Sequence, residues 1–283
     1  ETNYPSGFTD TLVVGRVGLG TVNQDGGLVD TTGTPYGYTW LGGHEVTVTL
    51  PLDPPEILAW TTGTTGVGIY NLSDNGSLTT LGLIVGGVGG GTFNQSGGTV
   101  TATSSLANST FYALPDLPPE NALPSSLAAF PYNLVIGYGG ESTTTATGVY
   151  NLSGGMLNLD AGAGSGILIG HTGSGTLNIT GGVANLGGGA IDGNASAQFN
   201  FQGGTLKNAG NVSTAVTFLS GGSGAVLHQD AGYNTVLNDT DGAGGFTKTG
   251  PGTLTLSGTV AHTGTTVLQG GTTVLMGDTP MNS

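Results

Sequence analysis

A repeated, glycine-cornered unit constrains the fold of this chain more than any other feature. LIVGGVGGGTFNQSGGTV at 83–100 matches LVVGRVGLGTVNQDGGLV at 12–29 at most positions. ILIGHTGSGTLNITGGVA at 167–184 is a third copy without gaps, and a fourth at 134–157 carries six extra residues. Where copies are contiguous, the period is near 22 to 27 residues. Repeats of this length are typical of chains that stack one supersecondary unit on the next.

Each unit also has the alternation of a β-strand. Apolar residues alternate with Thr, Ser or Asn, as in TLTLS at 253–257, so every second side chain faces a core. Strands this short cannot enclose a core alone, but stacked coils can. The sequence therefore predicts an all-β fold, a single parallel β-solenoid (β-helix) of short Gly-cornered coils over 1–283. A β-sandwich or jelly roll is the alternative, favoured if the repeats pair as hairpins.

The repeats place one asparagine at the same position in successive coils. Stacked strands lie about 4.8 Å apart, a spacing at which asparagine amides can hydrogen-bond along the stack. We expect Phe93, one residue before such an asparagine, to point into the core. The predicted ladder comprises Asn23, Asn94, Asn151, Asn178 and Asn200.

Two Pro- and aromatic-rich segments, at about 33–63 and 108–132, interrupt the pattern. Proline removes a donor from the strand ladder, so both are predicted to leave the solenoid as loop insertions. Exposed aromatic side chains commonly anchor interfaces and can stack on sugars; alternatively, the insertions fold back and cover the solenoid flank. The candidate binding or subunit-interface residues are Tyr36, Tyr38, Trp40, Trp60, Phe111, Tyr112 and Tyr132.

Charge and composition exclude several classes of function. Three Lys and Arg residues against seventeen acids give a net charge of −14, which excludes a nucleic-acid partner because phosphates need basic side chains. The sequence has no stretch of about eighteen apolar residues, so it predicts no transmembrane segment. The chain has no cysteine, which excludes disulfides and thiolate metal sites and is compatible with an extracellular location.

Motifs for catalysis are weak. The glycine-rich turns lack the lysine of a phosphate-binding loop, the acids are scattered, and the four histidines lack metal-ligand spacing. We therefore predict that the chain is not an enzyme and holds no cofactor, with a β-helix polysaccharide lyase or hydrolase as a less favoured alternative. Asp239 and Asp241 are weak calcium candidates because they lie in an oxygen-rich turn. Asn108 and Asn194 are the better, though weak, glycosylation candidates among the Asn-x-Ser/Thr sites.

The segment 244–275 resembles the autotransporter-associated β-strand repeat. The resemblance lies in FTKTGPGTL at 246–254, GTTV at 264–267 and GGT at 270–272, whereas His262 stands where the repeat usually has tyrosine. It implies a passenger-type parallel β-helix exported to the bacterial cell surface, and it does not imply an enzyme.

The ends of the predicted solenoid indicate a function. Natural solenoids cap or block their unpaired edges, and neither end here carries an amphipathic capping helix or a charged edge in the sequence. Uncapped ends favour head-to-tail stacking. We therefore predict a secreted structural protein that assembles with other copies of itself into an extracellular filament or surface layer. The alternative is a surface adhesin that binds glycan or protein through the aromatic insertions.

Overall fold

The computed structural model describes residues 12–15, 17–33, 38–43, 47–48, 60–61, 66–103, 132–139, 146–159 and 166–276. All the regular elements in these ranges are β-strands. Within them there is no helix long and apolar enough to cross a membrane.

The strands are short and follow one another at glycine corners. Those of the N-terminal half are β1 Leu12–Val14, β2 Leu19–Gln24, β3 Leu28–Asp30, β4 Thr39–Leu41, β5 Thr47–Val48, β6 Trp60–Thr61, β7 Val67–Leu72, β8 Ser77–Thr80, β9 Leu83–Val85, β10 Gly90–Gln95, β11 Thr99–Ala102 and β12 Leu134–Ile136. The remaining strands are β13 Thr147–Leu152, β14 Met156–Leu159, β15 Gly166–Ile169, β16 Ser174–Asn185, β17 Ala190–Gly193, β18 Gln198–Lys207, β19 Asn211–Val212, β20 Val216–Phe218, β21 Gly224–His228, β22 Asn234–Leu237, β23 Thr240–Asp241, β24 Phe246–Thr249, β25 Thr253–Leu256, β26 Thr266–Leu268 and β27 Thr272–Leu275.

Parallel pairing arranges these strands into a solenoid, as predicted. Sheet 1 has ten strands in the order β1-β4-β9-β12-β15-β17-β19-β22-β25-β27, and sheet 2 has fifteen. Each of coils 1 to 8 gives one strand to sheet 1 and then two strands, or one long strand, to sheet 2. Coil 1 is β1–β3, coil 9 contains β25 and β26, and β27 begins coil 10. The antiparallel pair in the described ranges, β5 with β6, lies outside both sheets.

The interior is one continuous apolar column. Alternate side chains of each strand point inward, and the buried set extends along the stack from Val14 to Val260. Tyr70, Phe93 and Tyr150 stack in successive coils with ring centroids 4.9 Å apart. The inward position predicted for Phe93 is confirmed, since its side chain is fully buried.

Paired tyrosine and glutamine side chains are also buried inside the stack. The Tyr70 hydroxyl donates to Gln24 Oε1 at 2.6 Å, and the Tyr150 hydroxyl donates to Gln95 Oε1 at 2.7 Å. The Gln24 amide donates in turn to the carbonyls of Gly27 and Ser77. Burial raises the pKa of Tyr70 to about 12, so it stays a neutral donor. Satisfied polar groups of this kind avoid the penalty of an unpaired buried dipole.

The glycine-rich turn at 86–91 serves backbone packing. Gly86 has φ = +78°, a left-handed conformation that favours glycine. A Cβ on Gly91 would lie 2.0 Å from the Gly86 nitrogen, because the chain folds tightly back at this corner. The nitrogens and carbonyls of the turn also pair between coils, as when the Gly86 N–H donates to the Leu41 carbonyl at 3.0 Å. These residues form a corner of the coil, as the repeats indicated.

The insertion predicted for 33–63 begins too early. Strand β4, at 39–41, lies inside sheet 1 and pairs in register with β1 and β9. Proline is absent from 38–43, and Gly42, at φ = +89°, makes the same left-handed corner as Gly86. This segment is therefore one more coil strand. The extent of 108–132 as a loop stays a prediction, because all of it except Tyr132 lies outside the described residues.

Candidate functional site

The two ends of the described solenoid carry unpaired strand edges. Strands β1 and β2 pair only with β4 and β7 among the described strands, and β27 pairs only with β25. The outer edge of each end strand presents backbone N–H and C=O groups in the geometry that accepts another strand. The ends are therefore the surfaces of the described molecule that are best organised to bind another copy of the chain.

At the C-terminal end, the core column is left uncovered. Leu268 continues the inward column of sheet 2, and Leu275 continues that of sheet 1 directly after Leu256. Leu256 is 1% exposed, whereas Leu268 is 50% exposed and Leu275 is 45% exposed. Side chains that occupy core positions are thus half open to water because no described coil covers them.

At the N-terminal end, apolar side chains are exposed together with two acidic groups, Asp25 and Asp30. Leu19 and Leu28 are among the most exposed large apolar residues described. Asp30 ends strand β3, and its carboxylate accepts hydrogen bonds from the Thr32 N–H at 2.8 Å and the Thr32 hydroxyl at 2.6 Å. These bonds hold the pKa of Asp30 below its usual value. The expectation that neither edge is charged is therefore wrong at this end.

Below the C-terminal edge lies a buried cation that the sequence reading missed. Lys248 occupies an inward position between Leu227 and Leu268 and is fully buried. Its ammonium donates to the carbonyls of Thr249, Gly250 and Gly270 at 3.0, 2.8 and 3.0 Å. Desolvation lowers its pKa. The alternation of FTKT at 246–249 already places the lysine on the same side as Phe246, so the signal was available.

The predicted aromatic anchors do not form an exposed group where the structure describes them. Tyr38 is 1% exposed and Trp40 is 3% exposed; both belong to a second apolar cluster on the outer face of sheet 1, with Ile84 and Val135. The Trp40 indole N–H donates to the Gly43 carbonyl at 2.8 Å, and its ring meets Tyr138 edge to face at 5.6 Å. Both residues therefore serve internal packing in this structure.

The other aromatic candidates are distributed differently. Tyr132 packs against the same outer cluster, and its hydroxyl donates to Asp192 Oδ2 at 2.7 Å. Trp60 lies in β6, where only the backbone is described. Tyr36, Phe111 and Tyr112 lie outside the described residues.

The calcium candidates Asp239 and Asp241 lie on either side of Thr240, the first before strand β23 and the second on it. Asp239 Oδ1 accepts the Thr259 N–H of the next coil at 2.8 Å, which ties two coils together. Asp241 lies on β23, paired with Thr217. In the described ranges, no three His, Asp or Glu side chains are grouped as metal ligands would be.

Asn194, a glycosylation candidate, has its amide engaged within the fold. Its nitrogen donates to the carbonyls of His171 and Gly173, each at 2.9 Å, and its oxygen accepts the Ser196 N–H at 2.8 Å. A glycan on this nitrogen would compete with both bonds to the preceding coil. Asn108, the second candidate, lies outside the described residues.

One polar cluster lies on the flank of coils 6 to 8. Asp230 accepts hydrogen bonds from Lys207 Nζ at 2.9 Å and Asn208 Nδ2 at 2.9 Å, and it contacts His228 Nε2 at 3.1 Å. These partners, with Asn208 foremost, lower the pKa of Asp230 well below its usual range. The cluster pairs the half-buried Lys207 with a carboxylate across adjacent coils, so it ties coils together.

Comparisons with protein-family models, with curated proteins and with solved structures found no match.

Proposed function

We propose that this chain is a structural protein, a secreted β-solenoid subunit that assembles head to tail into an extracellular filament or surface layer. One observation carries the proposal: the sheet 1 core column reaches the C-terminal edge of the described residues with Leu275 half exposed. Covering apolar side chains with another coil is favoured by about 25 cal/mol for each Å² removed from water. Another copy of the same solenoid supplies such a coil.

The distribution of exposed apolar residues supports end-to-end contact over contact along the flanks. Among the described large apolar side chains that are exposed, only Val67, Met156 and Leu219 lie outside coils 1, 9 and 10. Clusters of exposed apolar residues mark interaction sites more often than single ones do. The exposed residues of these three coils are Val17, Leu19, Leu28, Val267, Leu268, Val274, Leu275 and Met276.

Charge and strand direction support an open assembly. Because the net charge is −14, electrostatic repulsion between copies opposes association through the flanks. Because all strands of both sheets run parallel, the two ends of the stack differ, and contact between them is heterologous. Heterologous contacts build filaments unless the rotation closes a ring.

The proposed extracellular location rests on the resemblance of the segment 244–275 to a repeat of exported bacterial passenger proteins. The absence of cysteine is compatible with it. We propose no catalytic activity and no cofactor. A glycan-binding adhesin is a weaker candidate because Tyr38 and Trp40, two of its proposed contact residues, are buried.

The assembly proposal is tested with the recombinant 283-residue chain. We expect it to form oligomers whose mass rises with concentration in light scattering, and filaments in negative-stain electron microscopy. Leu275→Lys places a charge on the uncovered column and should reduce assembly at least tenfold while leaving the circular dichroism spectrum unchanged.

Leu219→Lys is the matched control, since Leu219 is exposed to a similar degree, 40%, but lies away from both ends. It should assemble like the unmodified chain. A wild-type chain that stays monomeric at high concentration would contradict the proposal, as would equal loss of assembly in both variants.

A further inference from the structure

We infer that strand β27 of one copy pairs in parallel with strand β1 of the next, with Leu275 in register with Leu12 and Met276 in register with Val13. This inference rests on the proposed head-to-tail assembly and specifies which strands meet and how they align. It makes sheet 1 continuous from one copy to the next.

The first argument is that sheet 1 keeps one register from end to end. Every strand adds a residue to the same column, and from coil 3 onward each of these residues is Leu, Ile or Val. Leu12 and Leu275 are the first and last described members, so placing one on the other continues the column without a break. The column is Leu12, Thr39, Leu83, Leu134, Ile167, Ile191, Val212, Leu237, Leu256 and Leu275.

The second argument is the direction of the backbone groups. Residues of this column turn their N–H toward the following coil: the Leu12 N–H donates to the Tyr38 carbonyl, and the Leu83 N–H donates to the Asn133 carbonyl. Since N–H and C=O alternate sides along a parallel strand, those of Leu275 face the open C-terminal edge. By the same alternation, the N–H and C=O of Val13 face the open N-terminal edge.

These open groups complement each other in the proposed register. The Val13 N–H meets the Leu275 carbonyl as the Met276 N–H meets the Leu256 carbonyl inside the chain, where the distance is 2.8 Å. A one-residue slip would place the open groups of one strand against groups that already pair within the other. It would also turn Leu275 away from the column, because side chains alternate with period two. Both constraints are satisfied only by the proposed register or by one shifted from it by an even number of residues.

The side chains that meet across this junction are apolar on both faces of the sheet. Leu275 is 45% exposed and Met276 is 55% exposed, whereas Leu12 and Val13 each pack partly against an apolar cluster at the other end. The pairing would bury Leu275 against Leu12 inside the solenoid and Met276 against Val13 outside. A second copy is thus the partner whose chemistry fits this edge.

Disulfide trapping tests the register, since the chain has no cysteine of its own. The variant Val13→Cys/Met276→Cys places two thiols on neighbouring strands about 4.8 Å apart, within the range that a disulfide spans. Mild oxidation of the assembled variant should produce a ladder of covalent multimers on a non-reducing gel, which collapses to one band on reduction. The control Val17→Cys/Met276→Cys places one thiol in the turn between β1 and β2, away from Met276 in the proposed register, and should give no ladder.

The outcomes separate the register from the assembly. Filaments whose matched pair gives the ladder, with none from the control pair, support the inference. Filaments without a ladder, or equal ladders from both pairs, overturn the register and leave the proposed function standing. Absence of any assembly by the unmodified chain overturns both.

Discussion

At the scale of single residues, Lys248 shows how a charge fits into an apolar column. The lysine stem fills a core position, and the ammonium reaches the corner, where it donates hydrogen bonds to three carbonyls. A charged group without such partners would cost several kcal/mol to bury. The alternation of the strand fixes the inward position of Lys248, but the carbonyl cage depends on corners at Gly250 and Gly270. Corners of two different coils are not visible in a sequence window.

His262 is a second polar residue enclosed by the fold. Its Nδ1 lies 2.9 Å from the Thr240 hydroxyl and its Nε2 lies 2.7 Å from the Thr266 hydroxyl. The ring packs against Phe218 and Phe246, each with centroids 5.4 Å away. Burial lowers the pKa of His262 below its ordinary value, because desolvation penalises the charged imidazolium.

This environment predicts a pH dependence of stability. The unfolded chain protonates His262 near pH 6.5, whereas the folded chain does so only at lower pH, so the unfolded state binds more protons between these values. The contribution of neutral His262 to the free energy of unfolding is therefore fully present above pH 6.5. It is lost as the pH falls through the lowered pKa. We expect the urea concentration at the midpoint of unfolding to decrease when the pH is lowered from 7.5 to 5. The decrease should be smaller in His262→Gln, which keeps polar partners for both threonines.

The comparison uses the difference between the two chains at each pH, so other titrating groups cancel. Equal pH dependence in both chains would contradict the account of His262.

At the scale of strands, the asparagine ladder was predicted from the repeats and is confirmed. In each step, the Nδ2 of one asparagine donates to the Oδ1 of the asparagine in the preceding coil, at 2.7 to 2.9 Å. Asn71, missing from the prediction because its unit matches only in part, fills the second coil. The ladder is Asn23, Asn71, Asn94, Asn151, Asn178 and Asn200.

Asn94→Ala should destabilise the chain by about 1 to 2 kcal/mol. The substitution removes two amide hydrogen bonds, one to Asn71 and one from Asn151, and each such bond contributes about 1 kcal/mol net. Urea denaturation measures the loss. Thr92→Ala, on the same face of β10, is the control and should cost less. Equal losses would mean that the ladder adds nothing to the general cost of truncation.

The outer face of sheet 1 marks where sequence reasoning failed. Strand β4 reads as TWL followed by two glycines, the same strand-then-corner pattern as LIV at 83–85, but the nearby prolines and aromatics favoured an insertion. Outward residues of a solenoid strand are expected to be polar, whereas here Trp40, Ile84, Val135 and Leu168 are all buried. Burial on both faces depends on what packs over a sheet, and a local alternation pattern carries no information about that.

At the scale of the whole molecule, the fold could be predicted from the sequence, whereas the exposure of the end strands could not. Alternation and glycine corners recur in every coil, so each repeat reinforces the same architecture. An edge occurs once at each end, and its exposure depends on which coil lies beside it. The exposure of Leu275 is therefore a property of its position in the stack. The residue itself is identical to its buried equivalent, Leu256.

The axial repeat of the proposed filament tests the account most directly. The described residues contribute ten strands to sheet 1 in each copy, and at about 4.8 Å per strand a continuous sheet gives a rise of roughly 48 Å per subunit. Helical reconstruction from cryo-electron micrographs measures this rise. A polar filament with a rise of roughly 48 Å is the predicted result. A filament whose rise differs from ten strand spacings, or a chain that never assembles, would contradict it.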